Sequence, residues 1–111
     1  MNYEAKTIKP FERQAKRPIK KFTSLKSEIQ ALISVLEQNP EQGASIGNHC
    51  YKVRLSIASK GKGKSGVARV ITHIVVVENE IYLLAIYEKS ELQALTQQEI
   101  TNLLKFISKD G

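Results

Sequence analysis

Ala68-Arg69-Val70-Ile71-Thr72-His73-Ile74-Val75-Val76-Val77, then Glu78-Asn79-Glu80, then Ile81-Tyr82-Leu83-Leu84-Ala85-Ile86-Tyr87 is the stretch on which the fold turns. Two runs dense in β-branched and aromatic residues, parted by three polar ones, predict two antiparallel strands joined by a short hairpin turn. Upstream, from Tyr51, the sequence also has a period of two. Tyr51, Val53, Leu55 and Ile57 point one way and Lys52, Arg54, Ser56 and Ala58 the other, the pattern of a half-buried strand. Between these strands Ser59 to Gly66 is a basic, glycine-rich turn. The expectation is a three-strand antiparallel meander.

The flanks change to a helical period. Thr96-Gln97-Gln98-Glu99 is a capping box, and Ile100, Leu103, Leu104 and Ile107 make the apolar stripe of a last helix. Leu25, Ile29, Leu32, Ile33 and Leu36 mark another helix, with Ser24 at its N-cap and Asn39-Pro40 as its stop. Glu41 to Asn48, with Gly43 and Gly47, reads as a loop. Pro10 suits the first turn of a further helix, whose buried side is Phe11, Ala15, Ile19 and Phe22. Pro18 is expected to kink or split that helix. Its opposite side carries Arg13, Lys16, Arg17, Lys20 and Lys21. Tyr3 to Ile8 alternates weakly, as a short first strand. The sum is an α+β domain over residues 1–111, with helices packed on the apolar face of the sheet. The other face presents Lys52 and Arg54, with Arg69 and His73 on the neighbouring strand placed to join them.

The chain has 111 residues, 17 Lys or Arg against 11 Asp or Glu, and 41% hydrophobic residues. That length holds one hydrophobic core and argues against global disorder. One cysteine, Cys50, rules out an internal disulfide framework and a cysteine-rich zinc site. No apolar run reaches the roughly 18 residues of a membrane span, and Met1 to Lys9 lacks the apolar stretch of a signal peptide. The chain therefore reads as soluble and cytoplasmic, with no membrane partner. Between residues 50 and 69 stand Lys52, Arg54, Lys60, Lys62, Lys64 and Arg69 without a single acid. Such a segment repels itself, and a bound polyanion relieves that; a solvated face beside a flexible loop is the plainer alternative.

Ala58-Ser59-Lys60-Gly61-Lys62-Gly63-Lys64-Ser65 nearly spells a nucleotide-binding P-loop, lacking only the first glycine. That motif needs a helix after the loop, with its amides facing the phosphates. A strand follows here, so the P-loop reading is rejected. The same glycines let backbone amides approach phosphates while the lysines supply charge, as in a nucleic-acid clamp. Lys52 and Arg54, two apart on one strand, share a face. His49 and His73 would allow an acid–base ribonuclease if they converged, but His73 is better read as a half-buried strand residue and Cys50 as a small buried apolar one. Tyr87 ends the last strand, where a phenol can stack on a ligand or hydrogen-bond to it. No set of Asp, Glu and His has metal-ligand spacing, and no cofactor is expected.

Four phrases together resemble a known family: Cys50-Tyr51-Lys52-Val53-Arg54-Leu55, the glycine-rich run from Ala58 to Gly66, Ala68-Arg69-Val70-Ile71, and Tyr82 through Tyr87 to Glu88-Lys89-Ser90-Glu91. They are similar to the RelE/HigB-type toxins of bacterial type II toxin–antitoxin modules, and the order of elements agrees over nearly the whole chain. The resemblance implies a RelE-like fold and a ribosome-dependent endoribonuclease that cuts mRNA. It also implies a cognate antitoxin protein as inhibitor. Carried over by position, it makes Lys52, Arg54, Arg69, Tyr87 and Lys89 the catalytic set. Lys52 would be the base, Arg54 and Arg69 would bind the scissile phosphate and transition state, Tyr87 would stack on or orient a nucleotide, and Lys89 would stabilise or protonate the leaving group. Lys60, Lys62 and Lys64, with Lys16, Arg17, Lys20 and Lys21, would grip mRNA and ribosomal RNA. Where many relatives have two glycines this chain has Gly66-Val67, which alters the loop. Two other functions stay open on the same residues: a ParE-like toxin that poisons gyrase, and a non-catalytic module that binds RNA or the ribosome.

Overall fold

The computed structural model describes residues 2–58, 67–88 and 94–108. Within them the elements run β1 (Glu4–Thr7), α1 (Lys9–Lys21), α2 (Leu25–Gln38), β2 (Ala44–Gly47), β3 (Cys50–Ser56), β4 (Val67–Val75), β5 (Glu80–Glu88) and α3 (Gln97–Ser108). The strands form one sheet in the order β1-β5-β4-β3-β2. β3, β4 and β5 are the antiparallel meander that the alternation predicts. β1 lies parallel to β5 on its far side.

Two expectations are corrected. The stretch from Glu41 to Asn48, read as a loop, contains β2, which pairs antiparallel with β3. Ala-Ser-Ile-Gly has little strand propensity of its own; the hairpin is made by Asn48 and His49, whose φ angles of 57° and 60° give the doubly left-handed turn that suits a two-residue hairpin. Pro18 does not split α1, which is continuous from Lys9 to Lys21. Smaller shifts occur at the hairpin of β4 and β5. Val76 and Val77, expected within the strand, belong to the turn and are exposed.

The core is built as periodicity dictates. Leu25, Ile29, Leu32 and Leu36 of α2 are buried, as are Phe11 and Ala15 of α1. α1 packs on β5, and α2 on β1 and β3. Ser24 occupies the N-cap position of α2, although its side chain makes no capping bond there. The capping box of α3 is complete: the Thr96 amide donates to Glu99 Oε1 at 2.8 Å and the Glu99 amide to Thr96 Oγ1 at 3.1 Å.

Two side chains finish the sheet where strands run out. Beyond Thr7 no strand among the described residues lies beside the edge of β5, and the Ile86 amide donates instead to Gln14 Oε1 of α1 at 3.1 Å. On β1, the Tyr3 amide donates to the Glu37 carbonyl at 2.7 Å and the Ala5 amide to Glu37 Oε2 at 3.1 Å. Unpaired backbone donors at an edge are thereby satisfied without a further strand.

Candidate functional site

Register decides which cations meet. Arg54 of β3 stands directly opposite Arg69 of β4, and Arg69 directly opposite Tyr87 of β5. Lys52 lies two residues from Arg54 on the same face, opposite Ile71. Residues directly opposite in an antiparallel pair have Cβ atoms about 4.5–5.5 Å apart. The sheet thus assembles one row, Arg54–Arg69–Tyr87, with Lys52 beside it. Arg54 is exposed, while Lys52 and Arg69 are half-buried. Like charges placed directly opposite destabilise a sheet, and among the described residues none of the three cations meets a carboxylate.

The row also holds two donors without acceptors. Arg69 Nη1 and the Tyr87 hydroxyl are buried and have no hydrogen-bond partner among the described residues. Tyr87 is 8% exposed, too little for a base to lie across its ring. Burial pushes the Tyr87 phenol above its ordinary pKa, and the Arg69 charge pulls the other way. The phenol is therefore a neutral donor at physiological pH.

Only one end of this face is polar. Cys50 and Ile71, on the same face by alternation, are 0% and 1% exposed. The register puts His73 on the face of the cations, half-buried as the sequence predicts, but at the other end from Arg54 and Arg69. His73 pairs with Cys50, its Nδ1 lying 3.4 Å from the Cys50 Sγ. Four strand positions, about 13 Å, separate it from Arg69. Burial lowers the His73 pKa, the Asn48 backbone opposes this by hydrogen bonding, and nearby His49 lowers it further. Burial also pushes the Cys50 thiol up to about 11, which leaves it an inert core group.

The remaining candidate residues divide. An open groove of about 420 Å³ runs between α1 and the end of β5, lined by Arg13, Gln14, Arg17, Lys21, Tyr87 and Glu88 among others. Arg17 and Lys21 are thus brought beside Tyr87, whereas Lys16 and Lys20 are exposed and do not line the groove. Arg13 joins the groove although only its place on the polar side of the helix marked it in the sequence. Lys60, Lys62, Lys64 and Lys89 lie outside the described residues.

No helix among the described residues is long and apolar enough to cross a membrane. No family model matches the chain. Among solved structures, a double arginine-to-alanine mutant of the E. coli toxin RelE in the free state is similar at a TM-score of 0.61 and 12% sequence identity, covering 95% of this chain and 97% of that one. At that identity the likeness is one of architecture, and the α+β fold described here is RelE-like.

Proposed function

We propose that the protein is a toxin of a toxin–antitoxin module that cleaves mRNA on the ribosome, with the Arg54–Arg69–Tyr87 row and Lys52 around the scissile phosphate. The observation that carries the reading is the row itself: three strands bring two guanidinium groups and a phenol into line, and two buried donors lack an acceptor. Buried donors held without partners weaken a fold, and an RNA phosphate supplies the oxygens they lack. Arginine suits this because its planar fork matches phosphate oxygens.

The chemistry this row suits is transfer within the RNA. The 2′-oxygen attacks the adjacent phosphorus in line, its proton passing to Lys52. The bond from phosphorus to the 5′-oxygen breaks, leaving a 2′,3′-cyclic phosphate, and the 5′-oxygen takes up a proton, for which Lys89 is the proposed donor. Arg54, Arg69 and Tyr87 stabilise the charge that builds on the phosphorane oxygens. The likeness of fold to a RelE toxin supports translating ribosomes as the place of action and an antitoxin protein as the inhibitor.

The test is translation of a reporter mRNA in a purified system with the protein added and RNA ends mapped. New 5′-hydroxyl ends on ribosome-bound mRNA, lost in Lys52→Ala and Arg69→Ala variants of unchanged fold, are the expected result. Intact mRNA with the wild-type protein, or wild-type cleavage by both variants, overturns it.

A further inference from the structure

Arg13, Arg17 and Lys21 are spaced four apart on α1, so they form one ridge along the helix, each step rising about 6 Å. All three line the groove between α1 and β5. They are exposed, so their charges are available to a ligand. Tyr87 lines the same groove and is also the last member of the Arg54–Arg69–Tyr87 row. The groove therefore abuts the row at Tyr87. The Ile86 amide, donating to Gln14 Oε1 at 3.1 Å, ties the helix to the strand beside the groove. Glu88, a carboxylate at the strand end, bounds the cationic lining on that side.

We infer that this groove is a track for single-stranded RNA, in which Arg13, Arg17 and Lys21 hold the phosphates that flank the scissile one. The inference rests on the proposed function and extends it by giving the substrate strand a path and a binding residue, Arg13, beyond the reacting group. A cationic groove that follows the phosphate backbone holds a single strand without base pairing. The ridge supplies positive charge at regular intervals for the phosphates of the strand.

The experiment measures binding of 2′-O-methyl oligoribonucleotides, which cannot react, by fluorescence anisotropy over a range of salt. An eight-nucleotide strand reaches from the row into the groove; a dinucleotide occupies the row alone. In the Arg13→Gln/Arg17→Gln/Lys21→Gln variant the salt slope for the longer strand falls by about 2, at about 0.7 for each phosphate that the protein no longer neutralises. Affinity at 0.1 M salt then drops by up to about 100-fold, while dinucleotide binding is kept. A Lys26→Gln/Lys105→Gln variant removes charge on the other two helices and is expected to bind the longer strand within about twofold of wild type, since exposed charges away from the strand are screened. The inference is overturned by an unchanged slope in the groove variant or an equal loss in the control. Binding of a polyglutamate peptide with the same dependence on the groove also overturns it, since the groove then accepts an acidic polypeptide. The nuclease reading fails separately: a strand that binds in the groove while translated mRNA stays intact removes the enzyme and leaves the track.

Discussion

Replacing Tyr87 by phenylalanine separates stability from activity in a way that the unpartnered hydroxyl demands. The ring is 8% exposed and packed in the core, and Tyr87→Phe keeps that packing while removing the buried oxygen that has no partner. An unsatisfied buried hydroxyl costs about 1–3 kcal/mol, so the variant gains stability, by about 1 kcal/mol at the lower end. For 111 residues, an unfolding entropy of about 2.1 cal/mol/K per residue converts 1 kcal/mol into a rise of about 4 °C in Tm. Cleavage should move the other way, by about 100-fold, the usual loss for one donor to a developing oxyanion. Calorimetry on the free protein reads the first quantity, and quantitative mapping of 5′-hydroxyl ends in a translation system reads the second. A fall in Tm would mean that the hydroxyl is bonded in the folded protein. Unchanged cleavage would mean that the phenol stands away from the reacting phosphate. Either result refutes the reasoning.

Three further perturbations follow from particular contacts. Gln14→Leu strips the Ile86 amide of its acceptor and should cost about 1–3 kcal/mol, seen as a Tm lowered by about 4 °C or more; an unchanged Tm would show that α1 does not seal the edge of β5. Gly43 has a φ of +87°, and a Cβ there would run into the Lys52 backbone carbonyl. Gly43→Ala should therefore destabilise by more than about 1 kcal/mol and speed amide exchange across Ala44–Gly47, whereas native exchange rates would contradict the hairpin geometry. His73 has its pKa lowered chiefly by burial, so the unfolded chain binds a proton that the folded one refuses. Its contribution to stability is full above about pH 6.5 and declines as pH falls below that towards the lowered folded value. Tm measured from pH 8 to 5 should drop less in His73→Phe than in the wild type, and parallel curves would exclude His73 as the titrating group.

Much of the fold was legible because local signals and tertiary structure agree. The β-branched runs around Glu78-Asn79-Glu80 became β4 and β5, and Thr96 with Glu99 formed the capping box they spell. β2 was not legible, since its strand character comes from pairing with β3 across the Asn48-His49 turn and not from its own side chains. Val76 and Val77 misled for a related reason. Propensity marks them as strand, yet the backbone turns where the Glu78 amide donates to the Val75 carbonyl and the Asn79 amide to the Val76 carbonyl. At the site, alternation alone put Lys52 and Arg54 on one face. That Arg69 faces Arg54, and Tyr87 faces Arg69, required the registers of two strand pairs. Which of the α1 cations line the groove with Tyr87 required the helix to be set against β5, which the burial of Phe11 and Ala15 and the hydrogen bond from Ile86 to Gln14 bring about.

A module that merely holds RNA needs positive charge at a solvated surface, which costs little to maintain. The row is built otherwise. Arg69 is half-buried against the like charge of Arg54, and it shares with Tyr87 the cost of donors removed from water without an acceptor. Such an arrangement gains most from the group with the greatest charge density, and a phosphorane carries more negative charge on its oxygens than the phosphodiester from which it forms. The interaction therefore strengthens along the reaction, which is the condition for accelerating it. Arg69→Ala should then weaken binding of an unreactive 2′-O-methyl strand by about tenfold while slowing cleavage of translated mRNA by about 100- to 1,000-fold. Equal losses in the two measurements would mean that Arg69 binds ground state and transition state alike. The row would then be an RNA-holding surface on a RelE-like fold, and the catalytic reading would have to be given up.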